Sequence, residues 1–389
     1  MHITFICGSF QPGRDGVGDY TRRLAEECVR QGHSCSVIAL NDPHQSVPIR
    51  ATFAEIIPTL RLPSSLPWGD RTGIAREFRE EMRPDWISVQ FVPYSFHPKG
   101  FVHGLERRLK SICGDHRMHV MFHELWVGGY AESSWKERLI GAVQRGGILG
   151  MVRGLNPALA TTSNASYAWL LEDIAPDTEL LPLFGNIPVA EEPDWAWIES
   201  ECRAAGVPLD GETRQATWIF AMFGTFHEIW PEEPLFSKIL EAAEGMNKKV
   251  VVATIGRLGA GETHWEDLCG RYPGRIQFLN LGEQCPKRIS AFLRAADFGI
   301  ASMPWQLIEK SGTTTSMIEH GLPVIVNRDD IHFGQLEHVE TRHGLIKMDS
   351  RLSENLASLT RREPMERLAA TAQGFLALLT KFSKNHHEN

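Results

Sequence analysis

A lysine stands directly before a run of glycine and hydroxyl residues in the stretch KSGTTT, residues 310 to 315. An apolar strand candidate, DFGIASMP at 297 to 304, precedes this run, and an amphipathic stretch follows it. We expect a helix that begins at about Gly312, so the backbone N–H groups of Gly312, Thr313 and Thr314 lack partners within the helix. Lys310, the hydroxyl of Ser311 and the positive end of the helix dipole add to these donors. The stretch predicts an anion cradle suited to phosphate, while a plain Ser311 cap beside an exposed lysine stays open.

A glycine-rich loop, GRDGVGDYTRR, follows the first strand candidate. Gly16 and Gly18 allow a backbone to approach a ligand closely, with Val17 between them. The spacing differs from G-x-G-x-x-G, which argues against a dinucleotide site of the usual kind. The alternative is a turn capped by Asp19.

Two further loops carry polar side chains at the ends of predicted strands. His123 and Glu124 end the strand in MFHELW, where a histidine can donate a hydrogen bond to a hydroxyl or transfer a proton. Tyr94 and His97 lie in VPYSFHPKGF, which is either a ligand-facing surface or an ordinary polar turn. No HExxH motif is present, so the pattern predicts no bound metal.

Short apolar runs alternate with helical patterns along most of the chain. The first series has strand candidates near residues 2 to 7, 33 to 40, 85 to 92, 119 to 124, 158 to 163 and 178 to 184. A second series begins at about residue 216. Such alternation predicts an α/β fold with two Rossmann-like, doubly wound domains facing a cleft, with ligands at the carboxyl ends of the strands.

The pattern also predicts where the domains begin and end. We expect an N-terminal domain over residues 1 to 185, a Pro-, Gly- and acid-rich linker region at 186 to 213, and a C-terminal domain at 214 to 365. The last segment, 366 to 389, reads as a helix that either ends the second domain or packs back on the first.

Composition limits the classes of function. A net charge of −8 over 389 residues argues against nucleic-acid binding, and no apolar run has the roughly 20 residues that a membrane span requires. Seven scattered cysteines indicate reduced thiols, and no signal-peptide pattern precedes the first strand, so we expect a cytoplasmic protein. The basic stretch at 105 to 119 reads as a solvated helix face, with a peripheral contact at the inner face of the membrane as the alternative.

The strings DGVGDYTRRLAEECVRQGHSCSVIAL, FHELW, FLRAADFGIASMP and IEHGLPVIVN together resemble those of family-four, GT-B-type glycosyltransferases, over nearly the whole chain. The resemblance implies a donor, a nucleotide-diphosphate sugar, on the second domain and an acceptor on the first. The acceptor is a sugar, a lipid-linked molecule or another small molecule. It implies transfer with retention of configuration and no cofactor or metal, because a helix N-terminus and basic side chains neutralise the leaving diphosphate.

The resemblance also implies roles for individual residues. His123 and Glu309 would act in catalysis. Acceptor-binding residues would be Val17, Asp19, Tyr94, His97 and Glu124. Donor-binding residues would be Gly16, Gly18, Gly224, Thr225, Arg257, Lys310, Ser311, Gly312, Thr313, Thr314 and Glu319.

The sequence departs from the family pattern at two places. The two glutamates usually found eight residues apart before Gly-x-Pro would fall at Ile308 and Ser316, so Glu309 and Glu319 are displaced. The usual Gly-Arg and Lys after the first strand of the donor domain are replaced by FGTFHEIW, with Thr225 and His227. Lys310 or Arg257 would have to supply the missing charge. These departures keep two alternatives open: a catalytically silent protein that binds a partner or a glycan, and a nucleotide-sugar epimerase.

Overall fold

The computed structural model describes residues 1–207, 209–226, 230–334 and 344–384. The chain forms two compact units. Unit 1 contains Met1–Leu183 and the chain from Leu368 onward, and unit 2 contains Phe184–Arg367.

Unit 1 is built on an eight-stranded sheet in the order β3-β4-β2-β1-β5-β6-β7-β8. All neighbours are parallel except β3 and β4, which form an antiparallel pair. The strands are β1 His2–Cys7, β2 Ser34–Asp42, β3 Ile49–Phe53, β4 Ile57–Pro63, β5 Trp86–Phe91, β6 Arg117–Phe122, β7 Leu159–Thr162 and β8 Glu179–Leu180.

In the part of the chain that the structure describes, seven helices accompany this sheet. They are α1 Gly16–Arg30, α2 Trp68–Met82, α3 Pro93–Phe96, α4 Leu105–Cys113, α5 Trp135–Leu155, α6 Ala165–Leu171 and, from the end of the chain, α14 Leu368–Lys384. The side chain of Phe375 on α14 packs against Phe5 and His119, and Thr371 donates a hydrogen bond to the carbonyl of Pro182. The last helix therefore covers part of the unit 1 sheet.

Unit 2 is built on a six-stranded, all-parallel sheet in the order β11-β10-β9-β12-β13-β14. The strands are β9 Thr217–Phe223, β10 Lys249–Ile255, β11 Ile276–Asn280, β12 Phe298–Ala301, β13 Val324–Val326 and β14 Leu345–Lys347. The helices are α7 Trp195–Ala204, α8 Gly211–Gln215, α9 Leu235–Gly245, α10 Glu262–Arg271, α11 Pro286–Ala295, α12 Gly312–Glu319 and α13 Leu352–Leu356, with 3-10 helices at Gly259–Gly261 and Trp305–Lys310.

These two sheets confirm the expected α/β class with two Rossmann-like domains. The central strands are buried and mostly apolar, because helices cover both faces of such a sheet. The β3–β4 hairpin was missed: β3 reads IRATF, an alternation of only five residues, and it lies exposed at the edge of the sheet. Residues 184 to 207 and 209 to 213 lie within unit 2, where α7 packs against α11.

Candidate functional site

The first turn of α12 has the N-terminus that the sequence predicts. Ser311 is the N-cap, and its hydroxyl accepts a hydrogen bond from the N–H of Thr314 at 3.2 Å. It also hydrogen-bonds the hydroxyl of Thr313 at 3.1 Å. The cap therefore uses one of the three N–H groups assigned to the cradle, while helical geometry gives those of Gly312 and Thr313 no partner within α12. The buried hydroxyl of Thr314 has no hydrogen-bond partner among the described residues.

The end of β9 lies against this helix start. Gly224 adopts a φ of +86°, and a Cβ at this position would lie 2.8 Å from the Cγ2 of Thr313. Only glycine combines this backbone conformation with so close an approach. The exposed Thr225 follows, beside a narrow cavity of about 10 Å³ that Thr254 and Ser302 also line. The structure thus places Gly224 against Thr313, with Thr225 next in the chain, and their role in donor binding stays a prediction.

Cations stand in the segments that follow β10, β12 and β13 of unit 2. Lys310 is half-buried at the end of the 3-10 helix that leads into α12. Arg257 follows β10, is exposed, and lies 3.5 Å from the carboxylate of Glu283. Arg328, which the sequence analysis missed, follows β13 and forms a bidentate pair with Asp330. His227 lies outside the described residues.

The two displaced glutamates are both buried. Glu309 lies within the 3-10 helix and is 8% exposed. The side chain of Glu319 accepts a hydrogen bond from the N–H of Arg367 at 3.1 Å, and its carbonyl accepts one from Met365. A Cβ on Gly185 would lie 2.7 Å from the other carboxylate oxygen of Glu319. Glu319 therefore packs beside Gly185 near the start of unit 2 and bonds to Arg367 at its end. Its role toward a donor ribose stays a prediction.

The glycine loop of unit 1 is organised by two aspartates. Asp15 is the N-cap of α1, and its carboxylate accepts hydrogen bonds from Val17 at 2.9 Å and Gly18 at 2.7 Å. The cap is therefore Asp15, whereas Asp19 accepts from the N–H of Gly13. A Cβ on Gly18 would lie 2.6 Å from the carbonyl oxygen of Ser9, so packing alone requires glycine here. Gly16, the first residue of α1, is exposed.

His123 lies half-buried directly after β6. Its Nε2 lies 2.8 Å from Oε1 of Gln90, and its ring packs edge-on against Tyr20 with centroids 4.8 Å apart. Because Gln90 donates its Nε2–H to Ser88, its Oε1 accepts, and His123 must carry its hydrogen on Nε2. The Nδ1 atom then keeps its lone pair and can accept a hydrogen bond from a hydroxyl.

The hydrogen bonds continue across the sheet to a second histidine. Ser88 lies 2.8 Å from Nδ1 of His119, and Nε2 of His119 lies 2.8 Å from the hydroxyl of Thr161. Burial lowers the pKa of His123 to about 3, and burial together with the nearby His123 lowers the pKa of His119 to about 3. Both imidazoles are therefore neutral near pH 7, and so low a pKa makes His123 a weak base that can still accept or donate hydrogen bonds.

The loops after β5 and β6 are joined by the buried side chain of Gln144. It donates to the hydroxyl of Tyr94 at 3.0 Å and to the carbonyl of Lys99, and it accepts from the N–H of Val127. His97 accepts from the N–H groups of two residues in its own loop and stacks on Phe101. Tyr94 is 38% exposed and Glu124 is half-buried. Their role in acceptor binding stays a prediction.

Sequence reasoning missed the residues behind His123. Ser88 and Gln90 alternate within the apolar string WISVQF, which reads as a buried strand. His119 faces Ser88 in the strand register, so the three polar side chains share one face of the sheet. The sequence contains the spacings S-x-Q at 88 to 90 and H-x-x-x-H at 119 to 123. Only the strand register shows that these four side chains come together.

The described residues contain no cluster of three or more His, Cys, Asp or Glu side chains that could hold a metal ion. They also contain no helix long and apolar enough to cross a membrane.

Comparison with known proteins gives a relationship by structure only. No family model matches the sequence, and no curated protein is similar to it. The chain resembles the crystal structure of HepE from Anabaena in complex with UDP and glucose, with a TM-score of 0.57, 13% identity and coverage of 99% of this chain and 98% of that chain. It also resembles the catalytic domain of starch synthase IV from Arabidopsis thaliana bound to ADP and acarbose, with a TM-score of 0.56, 12% identity and coverage of 98% and 99%.

A glycosyltransferase from Rickettsia africae is similar in the same way, with a TM-score of 0.55, 10% identity and coverage of 99% of both chains. Near-complete coverage in these comparisons confirms the GT-B fold that the sequence resemblance implies. What the chain shares with these proteins is therefore the two-domain GT-B fold.

Proposed function

We propose that the chain is a glycosyltransferase that moves a sugar from a nucleotide-diphosphate donor to an acceptor, with retention of configuration. The observation that carries the proposal is the contact between Gly224 and Thr313, which places the end of β9 against the N-terminus of α12. In open α/β sheets, ligands bind outside the carboxyl ends of the strands, and a helix N-terminus there favours an anion. The ligands of HepE and of the starch synthase are consistent with a nucleotide at such a site.

In this proposal unit 2 binds the diphosphate. The leaving group would accept hydrogen bonds from the N–H groups of Gly312 and Thr313 and from the hydroxyl of Thr314. The ammonium of Lys310 would neutralise part of its charge. A cation and a helix dipole together can stabilise developing negative charge without a metal ion. In retaining transfer the departing phosphate oxygen itself accepts the proton of the acceptor hydroxyl.

Unit 1 would bind the acceptor and present His123 to the sugar. With Nε2–H held by Gln90, Nδ1 would accept a hydrogen bond from a hydroxyl of the transferred sugar. Such a bond orients the sugar and does not require the histidine to titrate. Tyr94, His97 and Glu124 are the proposed contacts to the acceptor, a sugar, a lipid-linked molecule or another small molecule.

The test is release of nucleoside diphosphate from a panel of UDP-, GDP- and ADP-sugars in the presence of candidate acceptors. We expect release with at least one donor that depends on the acceptor. Interconversion of the donor sugar without release would support the epimerase alternative instead.

A catalytically silent protein is the second candidate. The ion pair between Arg257 and Glu283 favours it, because a cation that faces a carboxylate neutralises less phosphate charge. In that case nucleotide-sugars would give no product with any acceptor, and a glycan or partner protein would bind without turnover.

A further inference from the structure

An exposed apolar stripe runs along the first half of α5. Trp135, Leu139 and Val143 are spaced four residues apart and therefore share one face, with Ile140 beside them. Their exposures are 71% for Trp135, 62% for Leu139, 42% for Val143 and 43% for Ile140. Burial of large apolar side chains is the ordinary outcome of folding, so four such residues left together on one helix indicate a binding surface.

The buried face of α5 explains why this stripe points outward. Gly141, Ile148 and Val152 lie opposite the stripe and are buried. A Cβ on Gly141 would lie 1.9 Å from the carbonyl oxygen of Val127, so glycine at this position lets α5 lie close against its neighbour. The helix is therefore fixed by its inner face and cannot rotate to bury the stripe.

The charged residues of α5 are mostly basic. The helix contains four basic residues, Lys136, Arg138, Arg145 and Arg153, and a single acidic one, Glu137. Glu137 is half-buried, forms the capping box with Ser134 and accepts a hydrogen bond from Tyr130. The exposed face of α5 thus combines apolar and basic side chains.

One of the four basic residues is already paired. Arg145 lies 3.3 Å from the carboxylate of Asp173, so Lys136, Arg138 and Arg153 supply the cationic character of the face. All three are exposed. An apolar stripe bordered by cations matches a bilayer surface that carries anionic headgroups.

A second copy of the chain fits this surface less well. From Trp135 to Val143 the helix rises about 12 Å, whereas a stable dimer buries about 800 Å² on each partner. A narrow stripe on one helix is much smaller than that area. Basic residues on both copies would also face each other across a symmetric contact.

We propose that the exposed face of α5 binds the surface of an anionic membrane, with the apolar side chains in the interfacial region and the cations at the phosphates. The helix lies in the plane of the interface and does not span the bilayer. This deepens the proposed function, because it fits an acceptor that is lipid-linked. It locates the contact on α5, whereas the sequence placed a membrane alternative on residues 105 to 119.

The test is co-sedimentation of the full chain with phosphatidylcholine vesicles that contain or lack phosphatidylglycerol. We expect binding to the anionic vesicles, weakened by salt, and a reduction of about tenfold or more in Leu139→Asp. Lys136→Glu should reduce binding without removing an apolar side chain. The matched control is Ile56→Asp, which places the same charge at an apolar residue that is 61% exposed elsewhere on unit 1.

Equal binding of Leu139→Asp and Ile56→Asp, or no binding of the unsubstituted chain to anionic vesicles, would overturn the proposal. A dimer in light scattering that Leu139→Asp dissociates, without vesicle binding, would instead assign the face to a second copy. Melting curves of both variants serve as the control that they are folded. Vesicle binding requires no turnover, so its failure and the failure of the proposed transfer are separate results.

Discussion

At the scale of single residues, the histidine after β6 depends on a glutamine in the neighbouring strand. Gln90 accepts from Nε2 of His123 and donates to Ser88, so its amide fixes which ring nitrogen carries the hydrogen. Gln90→Leu removes that acceptor. We expect the Nε2–H form of His123 to lose its dominance and turnover to fall about tenfold, the effect of one hydrogen bond, with nucleotide affinity unchanged.

Nitrogen-15 shifts of the His123 ring report the tautomer directly, and kinetics on the same protein report turnover. Gln90→Glu is the matched variant, because it keeps an acceptor oxygen at the same distance along the side chain. We expect it to retain the Nε2–H form and to raise the pKa of His123, since a carboxylate favours imidazolium. Unchanged ring shifts in Gln90→Leu would remove Gln90 from this role.

A second residue-scale prediction concerns His119, which is fully buried and has its pKa lowered to about 3 by burial and by His123. The unfolded chain binds a proton at this histidine below about pH 6.5, whereas the folded chain does not. The contribution of His119 to the free energy of unfolding is therefore largest above pH 6.5 and falls as the pH is lowered. His119 should contribute about 2 kcal/mol to the loss between pH 7 and 5.

Chemical denaturation of the unsubstituted chain and of His119→Asn at several pH values measures this contribution. We expect a smaller pH dependence in His119→Asn, whatever its stability at pH 7. The control is Gln373→Ala, at an exposed residue with no titratable side chain, which should leave the pH dependence intact. Parallel curves for His119→Asn and the unsubstituted chain would contradict the assignment.

At the scale of elements, the candidate donor site depends on how closely β9 approaches α12. Gly224→Ala places a Cβ at a φ of +86° and 2.8 Å from the Cγ2 of Thr313. We expect a loss of about 1 to 3 kcal/mol from the strained backbone, and weaker nucleotide binding because the helix start moves. Calorimetry and thermal melting measure the two effects.

Thr313→Ser removes the Cγ2 atom and should recover part of the loss when combined with Gly224→Ala. The control is Gly245→Ala at the end of α9, where an added Cβ meets no heavy atom within 4 Å. If the double variant is no better than Gly224→Ala alone, the contact between β9 and α12 does not position the site.

The elements at this site were predictable because their signals are local. The apolar run of β9, the SGT start of α12 and the glycine between them all stand within short strings, so their positions could be stated from the sequence. The packing of Glu319 against Arg367 and Gly185 could not, because it joins three distant segments. The same holds for the partners of Gln90, which depend on side-chain direction within a formed sheet. The cap at Asp15 was a local signal that was missed, since its partners Val17 and Gly18 follow within three residues.

At the scale of the whole molecule, unit 1 is completed by the last helix of the chain. Phe375 on α14 is fully buried against Phe5 and His119. Phe375→Ala should cost about 3 to 5 kcal/mol, the range for loss of a buried aromatic ring. Differential scanning calorimetry should show a lower transition temperature for unit 1.

The nucleotide-dependent transition of unit 2 should keep its temperature in Phe375→Ala. The exposed Gln373 lies on the same helix, and Gln373→Ala should leave both transitions in place. Equal shifts of both transitions in Phe375→Ala would mean that the units do not unfold independently.

The overall architecture was the part most open to sequence analysis, since alternating strands and helices define it without any long-range information. The edge hairpin of β3 and β4 was missed, because the alternation in β3 spans only five residues and the strand is exposed. The exposed face of α5 was also missed, since a stripe of apolar residues in a helix normally predicts burial.

The central claim is that the chain binds a nucleoside diphosphate at the start of α12. Isothermal titration of UDP, GDP and ADP, each beside its nucleoside, tests it most directly in the unsubstituted chain and in Lys310→Ala. The account predicts that at least one diphosphate binds more tightly than its nucleoside, and that Lys310→Ala weakens only the diphosphate, by about tenfold or more. If every diphosphate binds no better than its nucleoside, or Lys310→Ala weakens both equally, the account is contradicted.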